Sequence, residues 1–139
     1  MIKPSRVGHA TFETPDLDKA LAYYTEINGL KLVGQEKGRA YLASKTGLLT
    51  LALEAGREED LERISFEVSP TADFADLAKA LAADGVKSEV RSDSMPGIGK
   101  VLAFADPKGT IIELFQAWSY LGGHHQVLGA GPLKLGHIA

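Results

Sequence analysis

What most constrains this chain is that it repeats itself. Val7-Gly8-His9-Ala10-Thr11-Phe12-Glu13 returns as Arg63-Ile64-Ser65-Phe66-Glu67, with the same spacing from a polar first residue to Phe-Glu. A third start, Leu135-Gly136-His137-Ile138-Ala139, stands at the end of the sequence. The interiors match too. Asp16-Leu17-Asp18-Lys19-Ala20-Leu21 answers Asp76-Leu77-Ala78-Lys79-Ala80-Leu81, and Gly29-Leu30-Lys31 answers Gly85-Val86-Lys87. Repetition at this spacing decides architecture before any single segment does.

Each copy reads as one strand, one helix and three strands. Arg6 to Thr14 alternates loosely and carries Val7, Thr11 and Phe12, which suits a strand. Thr14-Pro15-Asp16 opens a helix with small capping side chains and an early proline. Leu17, Ala20, Leu21 and Tyr24 form its apolar stripe, and Asn28-Gly29 stops it. Strands are expected over 30–35, 39–43 and 48–53, punctuated by Gly38, Gly47 and Gly56. The second copy runs as a strand over 61–69 and a helix opening at 70–73 with Phe74, Leu77, Ala78 and Leu81 as its stripe. Gly85 ends that helix, and strands follow over 86–91, 100–105 and 110–116.

The expected fold is therefore α+β: two tandem βαβββ repeats, 5–56 and 60–117, within a module over 1–117. They form a curved, mixed, eight-stranded sheet with helices on its outer face. One helix per four strands covers one face only, so the concave face is expected to stay open, to hold a ligand or to dock a second copy. An open apolar face predicts self-association. Residues 118–133, with Gly122-Gly123-His124-His125 and Gly131-Pro132, read as a linker or tail. Residues 134–139 read as the start of a truncated second module.

Composition narrows the partners. A net charge of −3 gives no reason to expect nucleic acid or an anionic membrane. With no cysteine, disulfides, thiol chemistry and cysteine-held zinc are excluded for this chain. No apolar run approaches the roughly 20 residues of a membrane span, and the N-terminus lacks a signal-peptide segment, so a cytoplasmic location is expected.

Three ordered motifs carry a family resemblance. These are Val7-Gly8-His9 before the first helix, Asp16 to Tyr24 with Asn28-Gly29-Leu30, and Asp106-Pro107-Lys108-Gly109 leading to Ile112-Glu113-Leu114. Over residues 5–117 the chain resembles the vicinal oxygen chelate superfamily, which includes glyoxalase I, bleomycin-resistance proteins and type I extradiol dioxygenases. The resemblance implies a divalent metal on the inner sheet face, held from the first and last strands of each repeat. It points to His9, to Arg63 as its counterpart, to Glu113, and to Leu51 as the counterpart of Glu113.

The chemistry of those residue types is uneven. A non-haem iron oxygenase site takes two histidines and one carboxylate with positions left open, and lyase or isomerase sites need several neutral or anionic donors. His9 and Glu113 qualify as metal ligands. Leucine does not, and arginine stays protonated and opposes a metal. Arg63 is expected instead to pair with Glu113 if their strands are adjacent, leaving this module without a bound cofactor.

His137 has the stronger claim to a metal, because the resemblance implies that the second module of an extradiol dioxygenase carries two histidines and a glutamate. Its first ligand there lies in a Leu-Gly-His context. His124-His125 would point apart on a strand and are read as solvent-exposed. Met95-Pro96-Gly97-Ile98-Gly99 reads as a turn between strands, and Glu54, Glu58, Glu59, Asp60 and Glu62 as a solvated acidic hinge.

The function implied is the N-terminal, metal-free module of an extradiol ring-cleavage dioxygenase. Such a parent chain is an oxidoreductase of aromatic catabolism, with Fe(II) or Mn(II), a catecholic substrate and dioxygen. The partner is a second module or a homodimer mate, and a small aromatic or chelating ligand is compatible. The alternatives are a single-module homodimeric glyoxalase-like lyase or isomerase, or a bleomycin-resistance-type ligand-binding protein.

Overall fold

A computed structural model describes residues 6–116, apart from the side chains of Asp93 and Ser94. The linker over 118–133, His124-His125, and the segment 134–139 with His137 lie outside the described residues.

β1 (Arg6–Thr14) leads into α1 (Leu17–Ala22), which continues as a π-helical turn over Tyr23–Ile27. The Asp16 carboxylate caps α1 by accepting from the Lys19 backbone N–H at 3.0 Å. Gly29, at φ 78°, turns the chain out of the helix into β2 (Lys31–Glu36), β3 (Arg39–Ala43) and β4 (Leu49–Ala55). The second copy follows as β5 (Asp60–Glu67), α2 (Phe74–Ala83), β6 (Ser88–Met95), β7 (Ile98–Ala105) and β8 (Ile111–Phe115). Asp73 caps α2 through the Ala75 N–H at 2.7 Å. Among the described residues no helix is long and apolar enough to cross a membrane.

All eight strands join one open, mixed sheet in the order β2-β3-β4-β1-β5-β8-β7-β6. In each repeat the last strand lies parallel beside the first, β4 along β1 and β8 along β5. The two repeats meet where β1 runs antiparallel to β5, in the centre of the sheet. Two-fold pseudosymmetry follows, and it brings the first and last strands of both repeats together in the middle.

The helix stripes cover the outer face as the periodicity implies. Leu17, Ala20, Leu21 and Tyr24 pack on Leu30, Leu42, Leu51 and Leu53. Phe74, Leu77 and Ala78 join Leu81 on Val68, Leu102 and Leu114. Each fully buried leucine contributes roughly 1.5–3 kcal/mol.

The inner face differs from expectation. Tyr41, Leu49 and Ala52 of the first repeat meet Met95, Ile98, Val101 and Phe115 of the second in one buried cluster. The expected open concave face is therefore corrected: its apolar residues are buried within a single chain. Met95-Pro96-Gly97-Ile98 does form the turn between β6 and β7, and its two large apolar side chains belong to this inner cluster.

Candidate functional site

β1 carries His9 onto the inner face, where the imidazole stacks on the Phe115 ring with centroids 6.3 Å apart. Its backbone is clamped to the neighbouring repeat. The His9 N–H donates to Ser65 Oγ at 2.7 Å, and the Ser65 hydroxyl donates to the His9 carbonyl at 3.2 Å. Ser65 pairs in turn with Glu113 on β8, so His9, Ser65 and Glu113 stand in one row across β1, β5 and β8. The adjacent row holds Ala52, Thr11 and Arg63, through the pairs Thr11–Ala52 and Thr11–Arg63. A register shift between Thr11 and Phe12 leaves Glu62 as an additional residue on β5 beside Arg63.

The register corrects the assignment of Leu51. In the second repeat Ser65 pairs with Glu113 and Phe66 with Leu114. In the first repeat Thr11 pairs with Ala52 and Phe12 with Leu53. Phe12 and Phe66 are equivalent, so Ala52, not Leu51, answers Glu113. Leu51 packs on the outer face beneath α1. One residue of offset moves a strand side chain to the opposite face.

The centre is polar, buried and charged. His9, Ser65 and Glu113 are fully buried, and Thr11 nearly so. The Arg63 guanidinium lies 3.7 Å from the Glu113 carboxylate, the ion pair expected if β5 and β8 were adjacent. Both ring nitrogens of His9 and the Thr11 hydroxyl are buried with no hydrogen-bond partner. Burial first, and then the nearby Arg63 cation, lowers the His9 pKa to about 3, so the ring is neutral throughout the physiological range.

At the end of this face Glu54 pairs with Arg39 at 2.8 Å. Glu62 is pushed up to about 7 by hydrogen bonding to Glu54, by burial, and by the neighbouring Glu54 and Glu13 charges. Glu58, Glu59 and Asp60 are exposed as the hinge reading expects, whereas Glu54 lies in β4 and Asp60 and Glu62 lie in β5. What sequence reasoning missed here is that Glu62 lies near Glu54 and Glu13, whose charges help raise its pKa. Spacing alone does not show that they converge.

The two titrating sites have opposite signs. His9 has a folded pKa below its unfolded value, so its contribution is complete above about pH 6.5 and is lost on acidification. By pH 5 the loss is about 2 kcal/mol. Glu62 has a raised folded pKa, so its contribution is present below the ordinary carboxylate range and is lost as pH rises through about 7. Urea unfolding at pH 7 and pH 5 reads the sum of these two opposing contributions in the wild type. In His9→Gln the stability gained on going from pH 5 to pH 7 should fall by the His9 amount, whatever Glu62 contributes to both proteins. Equal pH dependence in both proteins would refute the assignment.

The donor set does not fit a divalent metal. His9 and Glu113 supply one nitrogen and one carboxylate, Ala52 supplies nothing, and Arg63 places a fixed cation beside the carboxylate. Among the described residues no group of three or more histidine, aspartate or glutamate side chains is placed to hold a metal.

Comparison with known proteins agrees with the topology. The family model described as Glyoxalase/Bleomycin resistance protein/Dioxygenase superfamily matches residues 6–114. The chain belongs to that superfamily. Relatives within it include a 1,2-dihydroxynaphthalene dioxygenase of Sphingobium xenophagum, 29% identical over 119 residues, which are 83% of this chain and 40% of that protein. A biphenyl-2,3-diol 1,2-dioxygenase of Sphingomonas paucimobilis is 26% identical over 83% of this chain and 40% of its own length. This superfamily member thus spans about 40% of the length of the curated relatives it matches.

Among solved structures, a homoprotocatechuate 2,3-dioxygenase variant from B. fuscum in complex with HPCA superposes with a TM-score of 0.75 at 26% identity. The match covers 98% of this chain and 40% of that one. The Mn(II)-bound glyoxalase from Novosphingobium aromaticivorans shares the fold at a TM-score of 0.80 and 21% identity, over 96% of this chain and 46% of its own.

Proposed function

We propose that this chain is the metal-free N-terminal module of an extradiol ring-cleavage dioxygenase acting on a catecholic substrate. The observation that carries the reading is the pairing of a dioxygenase-like fold with a centre that lacks the donors for the chemistry. His9 and Glu113 face an arginine where a third donor is needed. Dioxygenase relatives more than twice as long supply the context. In this reading the reacting metal, Fe(II) or Mn(II), belongs to a second module whose first ligand is His137, and the present module contributes packing surface. When bound there, the metal supplies a Lewis acid and a template for diol and dioxygen.

The test is the natural reading frame beyond Ala139. A second histidine and a glutamate at the repeat spacing, with oxygen uptake on biphenyl-2,3-diol by the longer protein alone, is the expected result. Ring cleavage by residues 1–139 loaded with Fe(II), or a continuation without those ligands, would overturn it.

A further inference from the structure

Arg63 reaches the inner face beside both His9 and Glu113, at a position where a third donor would stand. His9 and Glu113 share a row with Ser65 between them, and Arg63 stands one inner-face position further along β5, two residues away in sequence. Its guanidinium is 3.7 Å from the carboxylate and close enough to the imidazole to act on its charge. Both His9 ring nitrogens are buried without a partner. That is an uncommon state for a fully buried imidazole and leaves either nitrogen available to an acceptor of electron pairs. A cleft of ≈ 320 Å³, lined by Glu62, Arg63, Lys108, Gly109 and Thr110 among others, brings solvent to Arg63.

We propose that the Arg63 guanidinium is a built-in substitute for a divalent cation, and that this single side chain keeps a latent metal site closed. The positive charge that a metal would bring to Glu113 is supplied covalently by β5. Arg63→His exchanges that charge for a neutral donor and completes a set of two imidazoles and one carboxylate on one sheet face. This is the ligand class of open-sided sites for first-row divalent metals. The inference shares the Arg63–Glu113 pair with the metal-free reading above, but cobalt results on Arg63→His overturn only the inference, and a continuation without the ligands overturns only the dioxygenase reading.

Cobalt(II) is the probe, because its visible absorption reports nitrogen and oxygen ligation directly. The purified 139-residue wild type should stay colourless and hold no cobalt after gel filtration. Arg63→His should take up stoichiometric cobalt, and its melting temperature should rise with the metal and fall back with EDTA. The added variants Arg63→His/His9→Ala and Arg63→His/Glu113→Gln should lose the absorption. If Arg63→His does not fold in EDTA, recovery of its far-ultraviolet dichroism on adding cobalt answers the same question.

Three results would overturn the proposal. One is a folded Arg63→His variant that binds no cobalt. Another is cobalt that survives loss of His9, which would belong to other histidines of the chain. The third is stoichiometric cobalt in the wild type that disappears with His9→Ala.

Discussion

Replacing Arg63 with methionine is expected to lower the free energy of unfolding by about 3 kcal/mol, the cost of leaving a buried carboxylate without its cation. Glu113 is fully exposed to this loss because its side chain has no access to water, whereas Arg63 retains 17%. Methionine keeps the unbranched stem and so separates charge from packing. Adding Glu113→Leu to Arg63→Met should restore part of the stability, since replacing both members of a buried ion pair by apolar side chains of similar volume is often near neutral. Urea titrations of the wild type, the single variants and the double variant form the cycle. Additive losses, with no recovery in the double variant, would mean that the pair does not act as a unit.

Gly8→Ala is expected to cost a similar amount, about 3 kcal/mol, at the upper end for overpacking a filled core. A β-carbon at Gly8 would collide with the edge of the Phe115 ring and lie 2.6 Å from Ser65 Oγ. Phe115 is fully buried in the inner cluster and Ser65 holds both backbone groups of His9, so neither neighbour can yield cheaply. Stability to urea should fall while the slope of the unfolding transition is unchanged. The companion Gly8→Ala/Phe115→Leu should recover part of the loss by giving the new methyl room. A Gly8→Ala protein as stable as the wild type would show that the inner cluster is looser than its packing indicates.

Much of this architecture is legible in the letters because local and tertiary demands coincide. Arg6–Thr14 reads as a strand and is one, and the Asp16 cap and Gly29 turn stand where their chemistry places them. The parts that were not legible depend on register. Counting four residues from the turn glycines gives Glu113 after Gly109 but Leu51 after Gly47. The first repeat has one more residue between its glycine and the matching inner position, Ala52. A similar offset separates the letter match Asp16/Asp76 from the caps, since α2 is capped by Asp73, one helical turn earlier.

Burial of the inner face was also out of reach. Tyr41, Leu49, Met95 and Ile98 come from hairpins of different repeats, and no local pattern announces that they converge. At the centre, residue types alone were informative. An arginine at the position equivalent to His9 already argued for the ion pair with Glu113, because guanidinium cannot act as a ligand.

The seam between β1 and β5 also governs how the chain reaches this state. Within each repeat the first strand must wait for the last, so parallel pairing closes over a long loop and is intrinsically slow. During synthesis the first repeat can complete β1 against β4 while β5 is still absent, leaving β1 as a temporary edge with unpaired amides and carbonyls. His9, buried and neutral in the finished sheet, stands on that edge. Pairing of β1 between two nascent chains is the off-pathway event this topology invites, and the arrival of β5 is the step that ends it.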